Sequence, residues 1–309
     1  MTAARYDVLG IGNAIVDVLA RTEDDFLLRQ DMRKGAMTLI DEARAHGIYA
    51  AMGPAVEVSG GSAANTIVGC ASFGGRAAFV GKVRDDELGR IFAHDIRAAG
   101  VAFDTPPAAA GPSTGRCYVL VTPDGERTMN TYLEGYLWDP KHAKDAFLKA
   151  ASVAHEAKRL VALTLSDAFC VDRRRDEFLG LVRAGTVDLL FANETELRSL
   201  YQTADFDTAL AALRREARLA VVTRSEKGCV VVSRDEVLAV PAAPVEQVVD
   251  TTGAGDLFAA GFLFGLAQGA GHAGAARLGA LAAAEVIQHI GARPQTSLKA
   301  LAQQRGLMA

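Results

Sequence analysis

Apolar residues along this chain fall into two rhythms. Short continuous runs, Tyr6–Ile11, Ala77–Val83, Leu160–Leu165, Val187–Ala192 and Ala220–Thr223, read as buried strands. Longer stretches predict helices over Ala63–Phe73, Asp85–Ala98, Lys141–Arg159, Arg173–Ala184 and Ala275–Ile290. Ser62 reads as the N-cap of the first of these, and Gly100 ends the second. From Asp139 onward strand and helix alternate, the rhythm of a doubly wound parallel sheet. Ligands of such sheets lie beyond the C-terminal ends of the strands. Residues 113 to 133 follow another pattern: Thr114, Arg116, Tyr118 and Leu120 alternate with other positions, Pro123-Asp124-Gly125-Glu126 intervenes, and Arg127–Tyr132 follows. Asp-Gly between two such runs predicts a hairpin. Val230–Val232 and Val237–Val240 predict another, and Met37–Ile40 a strand of a small accessory sheet.

Polar residues interrupt the apolar pattern at three informative places. In the first, Val249-Asp250-Thr251-Thr252-Gly253-Ala254-Gly255-Asp256 runs directly into apolar Leu257–Leu266. Two glycines around an alanine let the backbone turn tightly, with its N–H groups pointing one way. The apolar run makes that turn the start of a buried helix, and free N–H groups at a helix N-terminus hold anions, phosphate above all. Asp256 sits in this positive pole, where it is expected to stay ionised and able to accept a proton from a hydroxyl. An anion cradle beside a base is what phosphoryl transfer to an alcohol needs. The plain alternative is a Gly-rich loop with an Asp cap.

In the second, Asn13 and Asp17 break the first strand region. Such groups are costly to bury unless they bond to backbone or to a ligand. Gly10 and Gly12 do not make a dinucleotide fingerprint, because Ile15 stands where the third glycine belongs. In the third, Ser59-Gly60-Gly61-Ser62 precedes a helix and offers close backbone approach or a hinge. Gly81-Lys82 is not a phosphate loop of the Walker type, since Val83 replaces the required Ser or Thr.

Composition narrows the classes. At 309 residues the chain can bury a large core; a net charge of −4 and a pI near 5.9 argue against a nucleic-acid surface. Cys70, Cys117, Cys170 and Cys229 lie far apart, which fits a reducing compartment and no zinc cluster. No secretory leader pattern opens the sequence and its longest apolar runs are interrupted, so the expectation is a cytoplasmic protein without a membrane span.

The string Asp250–Phe262 resembles the second signature of the PfkB family, the ribokinase-like carbohydrate and nucleoside kinases. Ser59 to Gly89 resembles the first: GGSAAN, then G-x-V-x-D-D-x-x-G. The stretches GIGNAIVDVLA, SGGSAANTIVG and YLEGYLWDP are similar to the bacterial adenosine-kinase-like branch. The resemblance implies one α/β domain over 1–309, a ribokinase-like three-layer α/β/α sandwich. Its central sheet would be mostly parallel, with a small β lid built from about 10–60 and 105–133. It implies transfer of the γ-phosphate of ATP, with Mg2+, to a primary hydroxyl of a nucleoside or sugar. Asp256 would be the base, and the backbone of Gly253, Ala254, Gly255 and Asp256 would hold the developing charge. Arg127 would be a lid clamp on the phosphate, although a solvated hairpin arginine fits too. Asn13, Asp17, Gly60, Gly61 and Asn65 would hold the acceptor. Asn193, Thr223, Gly228, Thr251, Gly253 and Gly255 would bind the nucleotide. Asn193 and Glu196 would order Mg2+ and its waters, a pattern that also fits a capping box. Asp250 and Thr252 would bind a monovalent cation, K+ being the candidate.

The chain departs from this pattern twice. Ser225 stands where the T-x-G-x-x-G nucleotide loop has its first glycine. Tyr132-Leu133 runs straight into Glu134–Trp138, where the resemblance implies a helix-containing segment of roughly two dozen residues, about a βαβ crossover. The reading favoured is a stretch of chain passed over, since a true deletion would damage the sheet. His289, near the helix that would wall the adenine, is more often packing than chemistry. Adenosine is the first acceptor reading and a sugar or another nucleoside the second. A binding protein without turnover is disfavoured by the intact Asp256.

Overall fold

The computed structural model describes residues 4–34, 37–123, 127–132 and 141–308. In chain order, β1 (Val8–Ile11), β2 (Ile15–Arg21), α1 (Asp24–Arg29), β3 (Met37–Leu39), α2 (Glu42–Ala51), β4 (Val56–Gly60), α3 (Ser62–Ser72), β5 (Ala77–Val80), α4 (Glu87–Ala98), β6 (Gly115–Val121) and β7 (Arg127–Tyr132) form the first half. The second half runs α5 (Lys141–Glu156), β8 (Ala162–Thr164), α6 (Ala168–Arg183), β9 (Leu189–Asn193), α7 (Glu194–Tyr201), α8 (Phe206–Glu216), β10 (Leu219–Thr223), β11 (Cys229–Ser233), β12 (Val237–Val240), α9 (Ala254–Ala267), α10 (Gly271–Val286) and α11 (Leu298–Gln304).

Most strands and helices lie where the apolar pattern puts them; strands β2 and β4 are additions. Helices α1, α2, α8 and α11 are additions, short or mixed in charge. Helix α6 begins at Ala168 rather than Arg173 because Asp167 caps it, accepting from the Cys170 N–H at 2.7 Å. The backbone leaves helical geometry at Arg174, so the stretch from Arg173 is only its second limb.

Strands β8, β9 and β10 are parallel, and β11 and β12 continue the sheet antiparallel. Alternate residues feed opposite layers. Leu190, Ala192 and Val222 meet Phe178, Leu197 and Leu213 on α6 to α8. Leu189, Phe191 and Val221 meet Phe258, Phe262 and Ala276 on α9 and α10. Burial on both faces is why these strands read as unbroken apolar runs.

Helix α9 also packs leftward: Leu257 and Ala260 share a core with Ile67 of α3 and Phe79 of β5. One helix therefore spans the five-stranded sheet and a separate parallel pair, β1 with β5. Among the described residues no strand joins the two pieces. The parallel strands of both pieces, with the helices packed on them, make the α/β sandwich that the sequence implies. The chain is continuous through Leu133-Glu134, and eight residues separate β7 from α5. A parallel crossover takes a dozen or more. On the β1–β5 face opposite α3, Leu9 and Val80 remain 52% and 42% exposed.

The accessory sheet has the order β3-β7-β6-β2-β4. One face carries Val18, Ala20, Tyr118 and Leu120 against Phe26, Leu27 and Ile48 of α1 and α2. The chain enters this sheet from β1 across Gly12-Asn13-Ala14 and returns to the core from β4 through Gly60-Gly61 into α3. Asn13 and Asp17 thus lie not on one strand but at the junction of core and accessory sheet. Among the described residues no helix is long and apolar enough to cross a membrane.

Candidate active site

Helix α9 begins as the glycines require. Gly253 is its N-cap with φ +77°, and a Cβ there would lie 2.7 Å from the Ala292 Cβ. Only glycine satisfies both the left-handed backbone and the close approach. A Cβ on Gly255 would meet nothing within 4 Å, so the turn opens onto free space. The first intrahelical bond runs from the Leu257 N–H to the Gly253 carbonyl. The N–H groups before it have no intrahelical acceptor. That of Ala254 turns back to the Thr251 carbonyl at 3.3 Å, so the cradle rests on Gly253, Gly255 and Asp256 rather than on four equal donors.

Asp256 is half-buried and held on both oxygens. Ser62 Oγ donates to Oδ1 at 2.6 Å and Asn65 Nδ2 to Oδ2 at 2.9 Å. Thr66 Oγ1 donates to the Asp256 carbonyl at 3.1 Å. Burial nevertheless pushes the Asp256 carboxyl above its ordinary range, against the two hydrogen bonds and the Arg293 charge that favour ionisation. The shift makes a stronger base, nearer the pH at which it would work. Ser62 is not a cap: Gly61, with φ +96°, is the N-cap of α3, and the Ser62 hydroxyl is committed to Asp256.

The acceptor-side residues converge on the same place. Asp17 on β2 lies against Gly60, where a Cβ would come within 2.2 Å of its Oδ2. A Cβ on Gly61 would lie 2.4 Å from the Asn13 carbonyl. Neither the Asn13 amide nor the Asp17 carboxyl has a hydrogen-bond partner among the described residues, so local backbone bonding does not explain them. Burial raises Asp17 to about 7, with Asp256 and Asp250 adding to the rise and Arg293 opposing it. Buried Asn65 leaves its Oδ1 without a partner. Unsatisfied polar atoms beside a carboxylate suit a polyhydroxyl ligand.

On the other side of the cradle, Asn193 and Glu196 form a complete capping box on α7. Asn193 N and Nδ2 donate to Glu196 Oε2 and Oε1 at 3.0 and 2.6 Å. The plain alternative is therefore realised. Glu196 is also 4% exposed and raised to about 7 by burial, with Asp167 and Asp256 contributing. A buried carboxyl crowded by two others fits a cation nearby. Both its oxygens are already held, so it suits a metal's water rather than the metal itself. Asp250 accepts from Thr252 N and Oγ1 through Oδ1 and from Gly291 N through Oδ2. It braces two loops of the site.

Thr223 ends β10, and Gly228, with φ +81°, would place a Cβ 2.1 Å from the Val240 carbonyl. Between them Ser225 adopts φ +52°, keeping the path expected of a glycine. Thr251 lies exposed beside the cradle. His289 faces Glu285 at 3.3 Å, and Glu285 also accepts from Gln295, Thr296 N and Thr296 Oγ1. This is packing, as a lone histidine suggests. Arg127 pairs in register with Val121, six positions along β6 from Gly115. Its backbone is therefore about 20 Å along the strand from the Ile15–Gly60 end; its side chain lies outside the described residues.

Sequence reasoning missed three participants, Ser62 as a partner of Asp256, Thr66, and Arg293. Ser62 stood in the GGSAAN string, but nothing local showed what it would face.

Comparison with known proteins gives the family. A model of the pfkB family carbohydrate kinases matches residues 50–170 and 132–299. The crystal structure of adenosine kinase from Sinorhizobium meliloti is 54% identical with a TM-score of 0.93, covering 98% of this chain and 100% of that one. That of a "probable sugar kinase protein" from Rhizobium etli CFN 42 is 50% identical with a TM-score of 0.94, covering 99% and 100%. Fructokinase-1 of Oryza sativa subsp. japonica is 32% identical over 253 residues, 72% of this chain and 78% of that protein.

Proposed function

The chain belongs to the pfkB family of carbohydrate kinases and is an ATP-dependent phosphotransferase, and on that premise we propose that it phosphorylates the 5′-hydroxyl of a nucleoside, adenosine, to give AMP. The observation that carries the chemistry is Asp256, fixed by Ser62 and Asn65 at the mouth of an open glycine cradle.

Asp256 takes the proton of the acceptor hydroxyl as the oxygen attacks phosphorus. The first-turn N–H groups of Gly253, Gly255 and Asp256 hold the charge that develops on the phosphoryl oxygens. Asn13, Asp17, Gly60, Gly61 and Asn65 orient the sugar hydroxyls; the unpaired Asp17 carboxyl and Asn65 Oδ1 are acceptors for them. Thr223, Gly228, Thr251 and Asn193 line the nucleotide side. Mg2+, when bound, neutralises phosphate charge, and Glu196 with Asn193 would order its waters. Asp250 and Thr252 would shape a K+ site behind the cradle. The accessory sheet acts as a lid that excludes water, and Arg127 would clamp the phosphate on closure.

Adenosine is favoured over a sugar by 54% identity across nearly the whole chain to a protein named adenosine kinase. The sugar reading rests on the rice fructokinase and the Rhizobium protein. A coupled ADP-release assay across adenosine, other nucleosides, ribose and fructose separates them. The account expects kcat/KM for adenosine to exceed that for either free sugar by at least about tenfold, since the base supplies most of the apolar contact. A faster free sugar overturns the adenosine assignment.

A further inference from the structure

Three consecutive residues of the loop between α10 and α11 grip three parts of the site. Gly291 N–H donates to Asp250 Oδ2 at 2.9 Å, and Ala292 packs against Gly253 at the cradle. Arg293 reaches to the acceptor side. Its Nε donates to the Ser59 carbonyl at 3.0 Å, its Nη2 to Ser59 Oγ at 3.2 Å, and its Nη1 to the Ala64 carbonyl at 3.0 Å. Ser59 N–H is held in turn by Asp95 Oδ2 at 3.2 Å. Every polar atom of Ser59 is thus fixed, immediately before the Gly60-Gly61 turn against which Asp17 and Asn13 lie. Ala64 is in the turn of α3 that carries Ser62 and Asn65, the two partners of Asp256.

We propose that Arg293 is the positioning residue of the acceptor site. It fixes the Ser59–Gly61 turn and the first turn of α3 from the loop that seats the phosphate cradle, and it sets its positive charge toward Asp17 and Asp256. The inference rests on the acceptor-site reading above. A guanidinium fork suits it, because three donors in one plane can hold two carbonyls and a hydroxyl at once, which an ammonium cannot. The charge is real at neutral pH: burial lowers Arg293 only to about 10, with Asp17, Asp256 and Asp95 opposing the fall. The groups facing Asp17 and Asp256 are otherwise acidic or neutral: Asp250 before α9, Glu196 on α7, and Ser62 and Asn65 on α3. Removing the cation leaves the two carboxyls harder to ionise and the turn beside Asp17 unpinned.

The test compares wild type, Arg293→Met and Arg293→Lys in the full chain. It measures adenosine affinity by calorimetry, KM for ATP, and the pH profile of kcat/KM for adenosine. For Arg293→Met the expected result is adenosine binding weakened by at least about tenfold, ATP KM within about threefold, and the acidic limb moved to higher pH. Arg293→Lys keeps the charge without the fork, so the limb stays while adenosine binding still weakens several-fold. A folded Arg293→Met with wild-type adenosine affinity and limb overturns the proposal. So do equal losses for adenosine and ATP with an unmoved limb, which mark a merely structural residue. If Arg293→Met does not fold, Arg293→Lys decides alone, and adenosine affinity within about twofold of wild type overturns the proposal. If wild type itself ignores adenosine, the acceptor assignment has failed separately, and the same comparison runs on the best acceptor of the panel.

Discussion

Asn65 Nδ2 donates to Asp256 Oδ2 at 2.9 Å, while Asn65 Oδ1 is buried with no partner. One amide thus aims the base with one end and holds out an acceptor with the other. A hydroxyl bound at Oδ1 would be placed beside the carboxylate that takes a neighbouring hydroxyl's proton. The arrangement joins residues 191 positions apart, across α3 and α9.

Ser62 gives the first prediction. Its hydrogen bond favours ionised Asp256, so Ser62→Ala raises an already elevated carboxyl further. A base must be unprotonated, so activity is lost as pH falls through its pKa. The expected result is an acidic limb moved to higher pH, with kcat lowered along that limb and little changed on the alkaline plateau. A uniform loss at all pH values would mean that Ser62 only supports the fold.

Stability should respond to pH through Asp17. Its unfolded pKa is 3.8 and its folded pKa about 7, so the folded state binds the extra proton between them. The stabilisation is complete below about 4 and lost as pH rises through about 7. Glu196 behaves alike, with 4.5 and about 7. Asp86 and Asp188, lowered by their partners, act oppositely and lose their contribution only at more acid pH. The melting temperature should therefore be higher near pH 5 than near pH 8. Asp17→Asn should raise it at pH 8, by about 2–4 °C for each kcal/mol regained, while weakening adenosine far more than ATP. A pH-independent difference between the two proteins would remove Asp17 from this account.

Ser225 is a non-glycine residue at φ +52° in the nucleotide loop. The left-handed conformation costs an L-residue roughly 1 kcal/mol. Glycine relieves that strain but gains freedom in the unfolded chain. Ser225→Gly is expected to stabilise by a few tenths of a kcal/mol to about 1 kcal/mol by urea denaturation, with ATP KM unchanged within about twofold. Marked destabilisation would show that the serine side chain holds the loop.

The parts of this site legible in sequence are those whose chemistry is local. Gly253, Gly255 and Asp256 declare a turn, a helix start and a carboxylate within four residues, and Asn193 with Glu196 declares a cap. The partners of Asp256 were not legible, because Ser62 and Asn65 lie on another helix and only packing of α3 on α9 brings them in. Arg293 was invisible for the same reason. The short passage from Tyr132 to Lys141 was noticed but read as sequence passed over. In the described residues the parallel strands fall in two pieces bridged by α9.

Asp256→Asn is the most direct test of the account. The amide keeps the size of the side chain and its contact with Ser62 but cannot accept the hydroxyl proton. Measured with saturating ATP and adenosine, alongside adenosine affinity by calorimetry, kcat should fall about a thousandfold while adenosine still binds within about threefold of wild type. Near-normal turnover in that variant would contradict the claim that Asp256 is the base of a phosphoryl transfer at the glycine cradle.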